Sequence, residues 1–209
     1  MLTRCGDDLF SIAVARPEDA QALAAQLRTA DFWLDVVPGI DSVVTRFDAM
    51  KTSARDARSA IEEVLGKGIG PLDIGDELVE IPVMYGGEFG PDLEELSAAT
   101  GLSPDEIIAL HAGREYRVEM VGFTPGFAFI GGLDERLRVP RRKEPRPCVP
   151  AGSVGIADAR TGLYAMASPG GWTLIGRTPY TLFDAAAEQP FKLAPGMRVR
   201  FRAVSGDDA

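Results

Sequence analysis

The chain has one histidine and two cysteines among its 209 residues, and this scarcity limits the chemistry that it can perform alone. Cys5 and Cys148 lie far apart in the sequence, and with a single histidine they give only three ligands, too few for a structural Cys/His zinc site within one chain. We expect two free thiols that pack as small hydrophobic side chains. No metal site is predicted, although a site made of carboxylates alone would suit magnesium.

Long apolar runs and an excess of basic residues are also absent. No segment approaches the roughly 20 apolar residues that span a bilayer, and the apolar patch near the N-terminus is short and interrupted by charge. We therefore expect a cytoplasmic protein with no signal peptide and no membrane contact. Acidic residues outnumber basic ones by 31 to 22, which gives a net charge of −9. Such a surface repels phosphates on average, which argues against nucleic acid as a partner.

Residues 1–70 are predicted to form a small α+β domain with helices on a sheet. Pro17 begins the first predicted helix and Gly66 ends the second. Between this domain and the rest of the chain, residues 71–77 are predicted to be a linker. A phosphate loop is disfavoured there, because Pro71 occupies a glycine position of the G-x-G-x-x-G pattern. The predicted strands and helices are strand 8–15, helix 17–30, strands 32–37 and 42–48, and helix 53–65.

Residues 78–209 follow a different pattern. A strand at 78–85 precedes two short helices, which start near Pro91 and at Ser103. Many short β-segments separated by glycine and proline turns then predict a barrel or a sandwich. These segments are 114–121, 126–130, 137–139, 153–157, 163–167, 172–176 and 197–204.

Two segments combine glycine with aromatic residues, VGFTPGFAFIGG at 121–132 and SPGGWTLIGRTP at 168–179. Glycine lets a backbone bend sharply or approach a ligand closely. Phe123, Phe127 and Phe129 alternate and therefore share one face if the segment is extended. Two interpretations stay open: a ligand-binding wall, or a barrel corner whose phenylalanines fill the core. In the second segment, Gly170 and Gly171 offer backbone N–H groups to an anion, and Trp172 offers a planar surface.

A basic loop, VPRRKEPRP at 139–147, contrasts with the acidic composition of the chain. Its arginines, including Arg141 and Arg146, suit binding of a phosphate or carboxylate, but a solvated loop stiffened by prolines is equally compatible with the pattern. His111 ends a predicted helix, where it either stabilises the helix dipole or serves as an acid, base or orienting group. A Ser-His-Asp triad is disfavoured, because AGSVG at 151–155 has Ala151 where a nucleophile elbow needs glycine.

These segments resemble one known family. The run from HAGREYRVEMVGFTPGFAFIGGL through PCVPAGSVGI to SPGGWTLIGRTP is similar to the allophanate hydrolase subunit 1 family, which includes the B subunit of 5-oxoprolinase and the kinase inhibitor KipI. The N-terminal stretches VVPGIDSVVTRFD and YGGEFGPDLEEL fit as well, so the resemblance covers nearly the whole chain. The extra basic residues in PRRKEPRP are the visible departure from the pattern.

The resemblance implies a small N-terminal α+β domain followed by a cyclophilin-like β-barrel. It implies that the chain is the B subunit of an ATP-dependent 5-oxoprolinase, which opens 5-oxo-L-proline to L-glutamate with ATP and Mg²⁺ bound at the level of the complex. Expected partners are the C subunit, of the allophanate hydrolase subunit 2 type, and the TIM-barrel-like A subunit. We therefore expect a half-site that a partner completes, and a chain that is inactive alone.

Two other functions stay open under this resemblance: inhibition of a sensor histidine kinase through direct binding, and a related urea- or biotin-linked carboxyl transfer. From their positions in the family motifs, the resemblance implies His111 and Arg177 as candidate catalytic residues. Candidate residues for binding substrate or nucleotide are Phe127, Arg141, Arg146, Ser153, Ser168, Gly170, Gly171 and Trp172.

Overall fold

The computed structural model describes residues 1–71 and 77–205. The chain divides into two compact units, Met1–Ile74 and Gly75–Ala209. Most of the predicted linker, 71–77, lies outside the described residues. Within the part that the structure describes, no helix is both long and apolar enough to cross a membrane.

Unit 1 is an antiparallel four-stranded sheet with two helices. The elements are β1 (Leu2–Arg4), β2 (Leu9–Ala13), α1 (Pro17–Leu27), β3 (Trp33–Pro38), β4 (Ser42–Phe47) and α2 (Ala54–Lys67). The strand order is β1-β2-β4-β3. Alternate residues of β4, among them Val43 and Phe47, are buried, as expected for a sheet with one covered face. The Ser53 side chain caps α2 by accepting the N–H of Asp56.

Unit 2 contains a closed barrel of seven strands. The elements are β5 (Leu78–Tyr85), α3 (Leu93–Thr100), α4 (Pro104–Ala112), β6 (Glu115–Val121), β7 (Ala128–Gly131), a 3-10 helix (Glu135–Leu137), β8 (Arg146–Val149), β9 (Ser153–Ala157), β10 (Arg160–Leu163), β11 (Ser168–Gly170), β12 (Thr173–Arg177) and β13 (Arg198–Ala203). The barrel order is β10-β7-β6-β13-β5-β12-β9, and neighbouring strands are antiparallel except β13 and β5, which are parallel. Strands β8 and β11 pair with each other in a separate ribbon.

The core of unit 2 consists of aliphatic and aromatic residues from the barrel strands and from α3 and α4, including Val83, Ile107, Ile130 and Phe201. Helix α4 begins with the predicted capping box, in which Ser103 and Glu106 each accept a backbone N–H of the other. The predicted fold class, α+β with a C-terminal β-barrel, is confirmed.

Some local predictions were wrong. The segment 137–139 is not a strand, because the Asp134 side chain accepts the N–H of Arg136 and starts a 3-10 helix over Glu135–Leu137. The strand predicted at 163–167 lies earlier in the chain, as β10 (Arg160–Leu163). This segment is polar and contains glycine, and it is a strand because it pairs with both β7 and β9. Strands β1, β8 and β11 were not predicted. Both cysteines are free thiols, but they are exposed and not packed.

Candidate functional site

An aromatic cleft of about 270 Å³ lies on unit 2. It is built from the turn between β6 and β7, the loop before β8, and the β11–β12 connection. We call it the aromatic cleft, and its lining residues are Phe123, Phe127, Phe129, Arg141, Pro145, Tyr164, Pro169, Gly170, Gly171 and Trp172.

The ring of Phe127 is the centre of the cleft wall. It makes edge-to-face contacts at centroid distances of 4.7 Å with Phe129, 4.8 Å with Tyr164 and 5.6 Å with Trp172. Phe129 also contacts Trp172 edge-on, at 5.8 Å. Such pairs are favourable beyond the area that they bury, and together they hold each ring in one orientation. The wall is therefore a preformed apolar surface.

The turn between β6 and β7 depends on backbone conformations that few residues adopt. Gly126 has φ +77°, and a Cβ there would lie 2.8 Å from the Cβ atoms of both Ala165 and Phe183. Phe123 also has a positive φ, of +74°, and its side chain is 66% exposed. Phe127 is buried, as the barrel-core interpretation predicts, whereas Phe123 lines the cleft with an exposed side chain, and the ligand-wall interpretation stays a prediction.

Arg141 supplies the positive charge of the cleft. Its guanidinium lies over the Trp172 ring, 5.8 Å from the ring centroid, a distance compatible with a cation–π interaction. Its nearest carboxylate is that of Asp158, at 3.9 Å, and both side chains are largely exposed. Among the described residues that line the cleft, Arg141 is the one charged side chain.

The neighbouring arginines are bound to other groups. Arg146 forms an ion pair with Asp92 at 2.5 Å, and Arg142 pairs with Glu95 at 2.7 Å and with Asp92 at 3.4 Å. Asp92 is only 4% exposed and also accepts the backbone N–H of Leu174 at 2.7 Å. Arg146 is therefore paired with Asp92 and does not line the cleft, and its role as an anion-binding residue stays a prediction.

The basic loop is attached to the cleft through its backbone as well. The N–H of Arg142 donates to the carbonyl of Gly171 at 2.8 Å. Arg146 pairs with Gly170 in the β8–β11 ribbon. Arg141 comes directly before Arg142, whose N–H bonds to Gly171, and this position brings the Arg141 side chain beside Trp172.

His111 lies inside the barrel unit and not in the cleft. Its Nδ1 is 2.7 Å from the Tyr85 hydroxyl, and its Nε2 is 2.9 Å from the Thr161 hydroxyl. Thr161 donates its own proton to the carbonyl of Gly155, so it must accept the Nε2–H. Tyr85 then donates to Nδ1. The neutral imidazole therefore links α4 to strands β5 and β10.

The environment of His111 does not suit acid–base catalysis. The side chain is fully buried, and burial lowers the pKa of His111 from 6.5 to about 3. A neutral imidazole with both nitrogens hydrogen-bonded has no proton site free for a substrate. The catalytic assignment of His111 is corrected to a structural one, and its interpretation as a cation at a helix end is wrong for the same reason.

Three further candidates lie outside the cleft lining. Ser153 is buried in β9, where its carbonyl accepts the N–H of Tyr164. Ser168 is buried in β11. The Arg177 guanidinium lies over the Phe89 ring, 5.8 Å from its centroid. The cleft thus brings together five of the ten candidates, namely Phe127, Arg141, Gly170, Gly171 and Trp172.

Sequence reasoning missed two residues that shape the cleft, Tyr164 and Asp92. Burial raises the pKa of Tyr164, so its hydroxyl stays protonated at neutral pH. Asp92 follows the glycine-rich GGEFGP segment, and its place after Pro91 predicts only the start of a helix. The sequence does not show that Asp92 is buried beside the basic loop, because the two segments come together only in the folded chain.

The described residues do not fit a magnesium–nucleotide site. Within residues 1–71 and 77–205, no group of three or more His, Cys, Asp or Glu side chains is placed to hold a metal ion. The described cleft lining contains one cationic side chain, that of Arg141, whereas the phosphates of a nucleotide carry several negative charges. No step of the chemistry is therefore assigned to ATP bound in this cleft.

The chain matches one known family. Residues 2–193 match the carboxyltransferase domain, subdomains C and D. The chain belongs to this family.

Among its curated relatives is the B subunit of the 5-oxoprolinase of Bacillus subtilis, which is 40% identical over 90% of this chain and 83% of the relative. The predicted family resemblance is confirmed. The crystal structure of TTHA0988 is 36% identical and superposes with a TM-score of 0.80, over 99% of this chain but 41% of that chain. The Kluyveromyces lactis urea carboxylase shares the fold at 17% identity, with a TM-score of 0.81, over 99% of this chain and 22% of that one.

Proposed function

We propose that this chain is the B subunit of an ATP-dependent 5-oxoprolinase, which opens 5-oxo-L-proline to L-glutamate. The observation that carries the proposal is the preformed aromatic cleft with one guanidinium, in a chain 40% identical to the B subunit of a curated 5-oxoprolinase. The cleft has the surfaces needed to bind and orient a small substrate.

The proposal includes a partner that completes the active site. Ring opening of a lactam requires activation of a poorly electrophilic amide, and phosphorylation of its oxygen would provide that activation. The described lining residues of the cleft include no serine, cysteine, threonine, lysine or histidine. We assign the nucleotide, the magnesium ion and the remaining catalytic groups to two partners, which correspond to the A and C subunits of such a complex.

The length of a homologous chain supports a partner. The protein TTHA0988 matches nearly all of this chain with only 41% of its own length. In that protein, additional chain is covalently joined to the equivalent of this one. The proposed partner would supply the equivalent of that additional part.

The test is reconstitution from separately purified proteins. We expect ATP-dependent release of glutamate from 5-oxo-L-proline only when this chain is mixed with both partners. Full activity from this chain alone would refute the shared site. Inhibition of sensor kinase autophosphorylation by the purified chain, without any activity in the complex, would instead support the kinase-inhibitor function. Transfer of a carboxyl group to urea or biotin would support the third alternative.

Arg177 provides a specific variant for this assay. Its position in the GRTP segment and its stacking on Phe89 place it outside the cleft lining, so its proposed contribution is made in the assembled complex. We expect Arg177→Ala to lose complex activity while the far-UV circular dichroism spectrum and the melting temperature stay close to those of the wild type. An unfolded variant would make Arg177 structural.

A further inference from the structure

The lining of the aromatic cleft restricts the charge of any ligand. Aromatic rings and two prolines provide apolar surface, and Arg141 provides one positive charge. No acidic side chain is among the described lining residues, so a cationic ligand finds no counter-charge there. The matching ligand has an apolar body and a single anionic group.

The size of the cleft restricts the ligand as well. Sites for drug-sized molecules usually enclose about 300–1,000 Å³. The volume here, about 270 Å³, lies below that range and corresponds to a molecule of few heavy atoms. A flat or ring-shaped body suits the arrangement best, because it can lie against the ring of Phe123, which lines the cleft and is 66% exposed, whereas Phe127 and Trp172 are buried.

Arg141 is the arginine of the basic loop whose side chain lines the cleft. Arg142 and Arg146 are each paired with carboxylates at 2.7 Å or less, and one of these carboxylates is the buried Asp92. The contact between Arg141 and Asp158 is long and exposed, so exchanging it for a ligand carboxylate costs little. A guanidinium binds a carboxylate through two parallel hydrogen bonds, which fixes the orientation of the ligand.

We propose that the aromatic cleft binds a small cyclic monocarboxylate, and that Arg141 selects the ligand by pairing with its carboxylate. This inference rests on the proposed function in one respect, the choice of 5-oxo-L-proline as the physiological member of this class. In that ligand, the five-membered ring lies against Phe123 while Arg141 holds the carboxylate.

The experiment measures binding to the full isolated chain by isothermal titration calorimetry, with three probes. 5-oxo-L-proline has both the ring amide and the carboxylate, cyclopentanecarboxylate keeps the ring and the carboxylate, and 2-pyrrolidinone keeps the ring amide alone. We expect both carboxylates to bind at least about tenfold more tightly than 2-pyrrolidinone, since a charge-assisted pair is lost in the third probe.

Two variants assign this preference to a residue. Arg141→Gln is expected to weaken both carboxylates by about tenfold and to leave 2-pyrrolidinone unchanged. Arg138→Gln is the matched control, because Arg138 is an exposed arginine of the same region that pairs with Glu135 and does not line the cleft. It should bind all three probes like the wild type. Absence of carboxylate binding, or equal loss in both variants, would overturn the proposal.

The same variants separate this inference from the proposed function. If the reconstituted complex is active and Arg141→Gln leaves its KM for 5-oxo-L-proline unchanged, the cleft is not the substrate site, although the proposed role in the complex stands. If the isolated chain binds cyclic carboxylates through Arg141 and no complex releases glutamate, the cleft assignment stands and the proposed function fails.

Discussion

The only histidine of the chain contributes to folding while it is neutral. His111 donates through Nε2 to Thr161 and accepts from Tyr85 at Nδ1, and its ring stacks on Phe201 at a centroid distance of 4.4 Å. A second proton on the ring would break the hydrogen bond from Tyr85 and place a charge in the core. The pKa of His111, about 3, reflects the free energy cost of that charge.

This burial predicts how stability depends on pH. The unfolded chain binds a proton at His111 below pH 6.5, whereas the folded chain does not until about pH 3. The contribution of His111 is therefore fully present above pH 6.5 and decreases as the pH falls, by up to about 1.4 kcal/mol per pH unit. The measurement is the free energy of unfolding, obtained from urea titrations at pH 7.0, 6.0 and 5.0.

The control for this prediction is His111→Gln, which removes the titrating group. Carboxylates with lowered pKa values, such as Asp134 at about 2, also lose stability on acidification, but only below about pH 4.5. Between pH 6.5 and 5 the variant should show a flat free energy of unfolding, from a lower starting value. A slope equal to that of the wild type would contradict the assignment.

Gly162 makes room for the cleft wall. A Cβ at this position would lie 2.7 Å from Cζ3 of Trp172 and 3.1 Å from Cζ of Phe127. We expect Gly162→Ala to displace the Trp172 ring and to destabilise the protein by about 1–3 kcal/mol. The measurement is a shift of tryptophan fluorescence together with thermal unfolding.

Gly66→Ala is the matched control for the Gly162 variant. Gly66 lies in α2, and a Cβ there meets no atom within 4 Å. The replacement should leave the fluorescence unchanged and stabilise the helix by up to about 1 kcal/mol. Comparable fluorescence changes in both alanine variants would show that Gly162 has no special relation to the cleft.

At the element scale, the basic loop is kept beside the cleft by one buried carboxylate. Asp92 accepts hydrogen bonds from Arg142, Arg146 and the backbone of Leu174, and its own N–H donates to the Leu174 carbonyl at 3.0 Å. It therefore connects the start of α3, strand β12 and both ends of the loop. The position of Arg141 follows from this anchoring.

Asp92→Asn tests the anchoring. Asparagine keeps an acceptor for the Leu174 N–H but removes the charge that neutralises Arg146. Because Arg146 is partly exposed, we expect a moderate destabilisation of about 1–3 kcal/mol. We also expect faster trypsin cleavage within 141–146, monitored by mass spectrometry under native conditions.

Glu95→Gln is the control for the loop, since Glu95 pairs with Arg142 at 2.7 Å but is largely exposed. An exposed pair contributes about 0–1 kcal/mol, so this variant should keep the stability and the trypsin resistance of the wild type. If Asp92→Asn were as resistant as Glu95→Gln, the loop would be held by its backbone contacts alone.

Local patterns predicted the elements that depend on sequence neighbours. The capping box of α4 and strand β9 were found because their signals lie within a few residues. Strands β8 and β11 were missed, since each pairs with a segment about 20 residues away and neither has an alternating apolar pattern. The candidate site could be predicted only in part for the same reason. The glycine-aromatic motifs indicated Phe127 and Trp172, but no pattern of neighbouring residues indicated that Asp92 neutralises Arg146.

At the scale of the whole molecule, each unit has its own hydrophobic core, and the two core clusters share no residue. All residues that line the aromatic cleft, and the strands that carry them, lie in unit 2. The core of unit 2 includes buried side chains from all seven barrel strands, and a chain of this length is long enough to bury a core of its own. We therefore predict that a fragment of residues 77–209 folds alone and keeps the cleft.

This fragment allows a direct measurement, because Trp172 is its one tryptophan, the other being Trp33 in unit 1. Trp172 is 5% exposed, so its emission should be that of a buried indole and should shift to longer wavelength in a single cooperative urea transition. A cyclic carboxylate should bind the fragment and the full chain with the same affinity, since both contain Arg141 and the whole cleft wall. Emission typical of exposed tryptophan, or binding that is lost with residues 1–76, would mean that the cleft depends on unit 1.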